Sequence, residues 1–429
     1  MGRKLWVLAV VGLVLVGAAC HPRPHAGGYR GGRFRATGWF RTAHDGHRWW
    51  LVTPDGRPFY STGINHVGAS GNDTDRVTGQ CPYCDAIAGY PSVAAWTDAT
   101  VGRLRAWGFN TLGSWSDLDA FGSRMPYTAL LHFATGGDWF ASEFADHAAA
   151  VAADSVAARR DDPNLIGWVT DSELRWGPDW RGSSQLLDDY LAFPVGSPGR
   201  VVAEQHVGDP MGFLKAVATR YFQVTSDAIH AQDPHHLILG VKQITQLTAP
   251  EVLEAAAPYV DVFSIDDYTL VGDLDAQIHA AWPFYLPHDP TLQNVYEVVK
   301  KPLLVMEYSF RAADAGVPNS WPPIYPTYPD QTARTEAASD YLRRLYAMPW
   351  MVGDHWFEYV DEPAGGRFDG EDSNFGLVSS ADVPWTALVD RLTALHEVQP
   401  DRLADRKPRC WSWARDERGR VGCAEGTRR

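Results

Sequence analysis

Two glutamates stand where chemistry would be expected. Glu173 follows the apolar stretch "LIGWVTDS" (165–172), and Glu307 closes "LLVME" (303–307). A carboxylate at the end of a buried strand is costly unless it is paired or used. Either one alone is ordinarily a helix cap or an arginine partner. Two that converge across one opening to about 5–5.5 Å have a different use: one attacks an acetal carbon, and the other protonates the leaving oxygen and later activates water. Further reactive groups end other apolar stretches. Asp266, Asp267 and Tyr268 follow "VDVFSI", and Asp354, His355, Trp356 and Glu358 lie in "VGDHWFEY".

Elements must hold these groups in place. Eight strand-like stretches run through the chain, at 58–65, 109–114, 128–134, 165–171, 236–242, 260–266, 302–308 and 352–359. They are continuous apolar runs rather than alternating ones, as parallel strands covered on the outside should be. Between most of them lie segments with apolar residues three and four apart, which predicts amphipathic helices. Examples are "SVAAWTDATVGRLRAWG", "GFLKAVATRYFQVTSDAIHAQ" and "DQTARTEAASDYLRRLYAM". Eight such β-then-α units predict an α/β fold of the (β/α)8 TIM-barrel type, whose chemistry gathers at the C-terminal strand ends. A doubly wound open sheet is the alternative, but no Gly-rich phosphate turn follows the first strand. Residues 38–62 carry aromatic stretches separated by Asp-Gly turns, which predicts a short N-terminal β-hairpin region.

The net charge of −14 argues against nucleic acid as a partner, which needs a basic face. The chain holds 18 Trp and 17 Tyr, enough either for a large core or for flat apolar platforms against sugar rings.

The N-terminus reads as an export signal. Arg3 and Lys4 precede the apolar run 5–19, which is shorter than the ~20 residues of a spanning helix. Cys20 after "VGAA" marks a lipoprotein-type cleavage and lipidation site, although Gly17 replaces the usual larger aliphatic residue; plain secretion is the alternative. The expected organisation is a signal peptide at 1–20, a flexible tether at 21–37, a barrel at 38–400 and a C-terminal extension at 401–429. Any membrane contact would run through the lipid anchor alone, and nothing in the sequence indicates an oligomeric state.

Four further cysteines remain: Cys81, Cys84, Cys410 and Cys423. In an exported chain they predict disulfides, and the local pairings Cys81–Cys84 and Cys410–Cys423 are preferred among the three possible. "CPYC" also matches a thiol-redox motif, but it sits in a Gly/Asp-rich loop rather than between a strand and a helix. No metal or other cofactor is expected. Zinc would need a second ligand pair, and the acidic loop "GGRFDGEDSNFG" (365–376) lacks EF-hand spacing for calcium.

The chain resembles clan A of the glycoside hydrolases, and within it the family 50 β-agarases. The resemblance rests on "WWLVTPDGRPFYSTGIN", "GFNTLGSWSD", "IGWVTDSELRWG", "FRAADAGVPN" and "GDHWFEYVDEPAGGRFDGEDSNFGLV", across residues 38 to 395. It implies that Glu173 is the acid/base and Glu307 the nucleophile. It implies further that Tyr268 hydrogen-bonds the nucleophile and that Trp356 floors the cleaved subsite. His355 and Trp115 would line the same pocket. Arg367, Asp369 and Glu371 would offer partners to sugar hydroxyls, with Trp321, Tyr325 and Tyr328 as candidate platforms. Ser172 stands where the clan usually carries Asn, and Ser114 departs in the same way, which implies a reshaped subsite. The expected activity is retaining cleavage of a β-linked poly- or oligosaccharide, an agarose-like galactan among the candidates. A glycan-binding protein on a decayed barrel and a thiol oxidoreductase are the competing readings.

Overall fold

The computed structural model describes residues 29, 33–69, 74–122, 124–179, 181–268, 292–323, 325–404, 413–415 and 421–423. Cys20, Cys410 and the proposed Cys410–Cys423 bridge fall outside what is described.

Eight parallel strands close into a barrel. In chain order they are β1 (Ser61–Ile64), β2 (Thr111–Leu112), β3 (Tyr127–Leu130), β4 (Leu165–Ser172), β5 (Leu237–Ile244), β6 (Phe263–Asp266), β7 (Leu303–Tyr308) and β8 (Met351–Trp356). Closure occurs where β8 pairs with β1, with Gly353 opposite Ser61 and Trp356 opposite Ile64. A closed ring excludes the open doubly wound sheet, and each of the eight expected stretches supplies one strand.

Helices cover the barrel from outside for local reasons. Helix Val93–Ala106 starts at Ser92, whose hydroxyl accepts from the Ala95 N–H at 3.1 Å. Helix Pro210–Gln232 starts at Asp209, which accepts from the Gly212 N–H at 3.0 Å, with Pro210 in the first turn where its missing N–H costs nothing. Its apolar stripe, including Phe213, Val217, Tyr221 and Phe222, is buried. The Ala-rich segment before β4 is helical as expected, but a π-helical turn at Ala152–Val156 interrupts it. Among the described residues no helix is long and apolar enough to cross a membrane.

An antiparallel sheet of Arg41–His44, Trp49–Val52 and Pro58–Phe59 precedes the barrel. Its turns fall at the two Asp-Gly pairs, where Gly46 and Gly56 take left-handed φ of 91° and 87°. Phe40, Leu51 and Phe59 form one buried cluster with Ile166, Val169, Leu239, Leu304, Met306 and Val352 from the barrel strands. Arg48 ties this sheet to the segment entering β8, donating to the carbonyls of Met348 at 3.0 Å and Met351 at 3.1 Å. The sheet thus plugs the N-terminal end of the barrel and leaves the other end to carry the site.

The barrel interior is closely filled near β1. A Cβ built on Gly63 would lie 2.1 Å from the His355 ring. Gly63→Ala is therefore expected to cost about 1–3 kcal/mol by overpacking. Urea unfolding reads this directly, and an unchanged midpoint would contradict it.

Candidate active site

The C-terminal strand ends surround an open cavity of about 380 Å³, a size that suits a small ligand or sugar unit. Glu173, Ser172, Glu307, Tyr268, Trp115, Arg367, Asp369 and Glu371 all line it. Eight of the ten residues singled out for catalysis or binding thus meet in one cavity.

Glu173 follows β4 directly, and its N–H donates to the Lys242 carbonyl of β5 at 2.9 Å. Its backbone is left-handed, with φ 49°. Three neighbouring strand ends do the same: His66 beyond β1 (φ 58°), Trp115 beyond β2 (59°) and His132 beyond β3 (56°). Non-glycine residues rarely adopt this conformation, and such strain concentrates at functional sites.

Glu307 projects from β7 and is almost fully buried. Tyr268 donates to its Oε2 at 2.8 Å, and the Lys242 ammonium donates to its Oε1. Glu173, Asp266 and Glu307 each present an oxygen within 4.8 Å of the other two. Three negative charges at that spacing, two of them buried, repel one another strongly, which favours protonation of some of the group. Burial, then the charge of Glu307, pushes Glu173 up to about 7. The same causes in the same order push Asp266 well above the usual carboxylate range. Glu173 is therefore suited to hold and release a proton near neutrality, while Glu307 accepts at both oxygens, the hydrogen-bonding pattern of a carboxylate.

Two expected pocket residues are elsewhere. Trp356 is 0% exposed and points outward, with its Nε1 donating to the Phe375 carbonyl at 2.8 Å and the Arg334 guanidinium 5.7 Å from its ring. Side chains alternate along a strand. The next residue, Phe357, turns to the cavity and supplies its apolar wall. His355, one residue earlier, is fully buried inside the barrel, where its Nε2 lies 2.8 Å from the Ser61 hydroxyl. Burial, then the Lys242 charge, pushes His355 down to about 3, so it stays neutral. Ser114 is also buried away from the cavity, which leaves Ser172 as the departure that the ligand would meet.

The acidic loop is organised by its own arginine. Arg367 pairs with Glu371 at 2.6 Å, Asp369 at 3.1 Å, Glu358 at 3.4 Å and Glu362 at 3.6 Å. These carboxylates thus surround a guanidinium, and Asp369 and Glu371 line the cavity with it. Of the candidate platforms, Tyr325 reaches the cavity and stacks on Tyr268 with centroids 4.5 Å apart. Trp321 is exposed outside it, and Tyr328 packs against the core. Cys81 and Cys84 form the local disulfide expected of them. Their loop braces the acidic one, with the Arg76 N–H donating to the Gly366 carbonyl at 2.8 Å and Asp75 accepting from the Gly365 N–H at 2.8 Å.

Sequence reasoning missed Lys242 and His66. Lys242 ends the apolar run "LILGV", and a lone lysine there resembles an ordinary solvent-facing strand end. His66 contacts Glu358 and lines the cavity. The signal for both was position, since each sits at or just past the C-terminal end of a barrel strand.

Beta-agarase A of Vibrio sp. (strain JT0107) is 27% identical to this chain over 451 residues, covering 80% of the chain and 44% of that protein. Beta-agarase B of the same strain is 24% identical over 481 residues, covering 85% and 48%. The crystal structure of an agarase, AgWH50C, matches with a TM-score of 0.73 at 25% identity, covering 89% of this chain and 66% of that one. The chain is related to the family 50 agarases. An exo-beta-agarase structure at 22% identity and a TM-score of 0.68 adds likeness of fold alone. The chain spans less than half the length of the curated agarases it matches. No protein-family profile matches it.

Proposed function

We propose that the chain is a retaining glycoside hydrolase acting on a β-linked galactan of the agarose type. The observation that carries this reading is the approach of the Glu173 and Glu307 oxygens, from β4 and β7, to within 4.8 Å in an open cavity. That spacing leaves no room for a water between the second carboxylate and the sugar, which an inverting pair at about 6.5–9.5 Å would need.

In the first step a Glu307 oxygen attacks the anomeric carbon. The bond to the leaving oxygen breaks, and Glu173 gives that oxygen its proton. In the second step Glu173 takes a proton from water, the water oxygen attacks the same carbon, and the ester to Glu307 breaks. Trp115, Phe357 and Tyr325 offer apolar ring faces to the sugar. Ser172, shorter than an amide side chain, reaches a sugar hydroxyl through water.

Two inversions at one carbon retain its configuration. Proton NMR of freshly cleaved agarose oligosaccharides is therefore expected to show the β-anomer first, with the α-anomer growing in by mutarotation. An initial α-anomer would overturn the mechanism, and no cleavage of any galactan would overturn the substrate class.

Export and lipid anchoring are part of the same proposal, on the pattern of basic residues, apolar run and Cys20. The Cys81–Cys84 disulfide supports an oxidising compartment. Metabolic labelling with a fatty acid, lost in Cys20→Ser, tests the anchor.

A further inference from the structure

Lys242 contacts the carboxylates of both Glu307 and Asp266, and the two-step mechanism does not use it. It is 0% exposed at β5. Its ammonium donates to Glu307 Oε1, lies 3.4 Å from Asp266 Oδ2, and rests 3.8 Å from the centroid of the Trp115 ring. Trp115 therefore clamps the ammonium on its inner side and keeps 38% of its own surface exposed at the cavity. Tyr268 holds the other oxygen of Glu307, so the carboxylate is fixed at both ends.

We infer that Lys242 is a positioning residue for the reaction: it sets the rotation of the Glu307 carboxylate and supplies the fixed positive charge against which one negative charge moves from Glu307 to Glu173. This rests on the two-glutamate reading above. The charges balance in both states. At rest Glu307 is anionic, Lys242 cationic, and Glu173 and Asp266 are protonated. Once Glu307 is esterified and Glu173 has lost its proton to the leaving oxygen, the single negative charge lies on Glu173, and the same ammonium still answers it. Asp266 must stay protonated for this to hold. It is fully buried, the Lys242 ammonium 3.4 Å away is its ion-pair partner among the described residues, and burial with the nearby Glu307 outweighs that cation and raises its pKa.

Two histidines and an arginine also lie in this region. His132 beyond β3 and His355 in β8 are both held below the usual imidazole range, by burial first and Lys242 second. His355, held down to about 3, supplies no second cation. Arg181, which donates to the Glu173 backbone carbonyl at 2.6 Å, favours the anionic form of Glu173, and Glu371 opposes it. Lys242 itself is held above its usual value: burial would lower it, and contact with the carboxylate cluster outweighs that.

The test is Lys242→Met and Lys242→Gln in the full chain, with kcat/KM against pH on agarose oligosaccharides and thermal unfolding as a control. Without the ammonium, protonation of the attacking carboxylate competes at higher pH. The acid limb is expected to move up by about one pH unit or more and kcat to fall about 100-fold, with KM changed less. A merely structural role would lower activity without moving the limb. A second readout needs no turnover: NMR titration of the Glu307 carboxyl with 13C-labelled glutamate, expected to shift upward in both variants. An unmoved titration in folded variants overturns the inference whatever the activity. Absence of hydrolysis by the wild type beside a shifted titration overturns the functional reading alone.

Discussion

Glu307→Gln is expected to abolish turnover, with kcat lower by on the order of 10⁵-fold, the scale seen when a covalent nucleophile is removed. The amide has nearly the shape of the carboxylate but carries no charge and attacks an acetal carbon poorly. Its oxygen can still accept from Tyr268 or Lys242, so the local geometry survives. The buried ammonium of Lys242 loses its main counter-ion, but Asp266 at 3.4 Å can ionise in its place. The fold is thus expected to persist, with a melting temperature within a few degrees of wild type. Measurable hydrolysis at the normal rate by a folded Glu307→Gln protein would remove Glu307 from the mechanism.

Glu173→Ala is expected to have the next largest effect, with kcat on a sugar leaving group down by about 10³-fold, within the range of lost general acid–base catalysis. Two features separate this from simple damage. Activity that needs a protonated Glu173 declines as pH rises through about 7, so the variant should lose that alkaline limb. The removed side chain also opens space beside the anomeric carbon. On an aryl glycoside whose leaving group departs without an acid, a small anion such as azide needs no base to attack the glycosyl-enzyme there, so it should restore turnover and yield a β-glycosyl azide. A variant that keeps the alkaline limb, or ignores azide, would assign the proton to another group.

Much of this was readable from residue types. The eight strands announced themselves as apolar runs, because parallel strands are buried on both faces. The same property hid the parity of side chains at the end of β8. With no polar residue alternating along "MVGDHW", nothing marks which of His355, Trp356 and Phe357 faces the cavity, and the aromatic of the wall was placed one residue early. That Glu173, Glu307 and Tyr268 share one cavity was legible because bland explanations, ordinary for one carboxylate at a strand end, fit less well for two on different strands of one barrel. Lys242 was not, since its meaning comes from Asp266, Glu307 and Trp115, which reach it only when the barrel closes. The acidic loop was legible as a unit, but its folding around Arg367 depends on Glu358 and Glu362 outside the motif.

The left-handed backbone beyond β1 to β4 has a consequence for how such a chain can change over time. A side chain in that conformation costs roughly 1–2 kcal/mol that glycine avoids. Mutational drift that favoured stability alone would therefore tend to replace His66, Trp115, His132 and Glu173 with glycine, and would erase the mouth of the barrel before the core. Four neighbouring strand ends instead carry an imidazole, an indole, an imidazole and a carboxylate, the pattern expected if this face does chemistry. In an otherwise unfamiliar barrel, left-handed non-glycine residues past the strand ends would point to the working face before any residue type is considered.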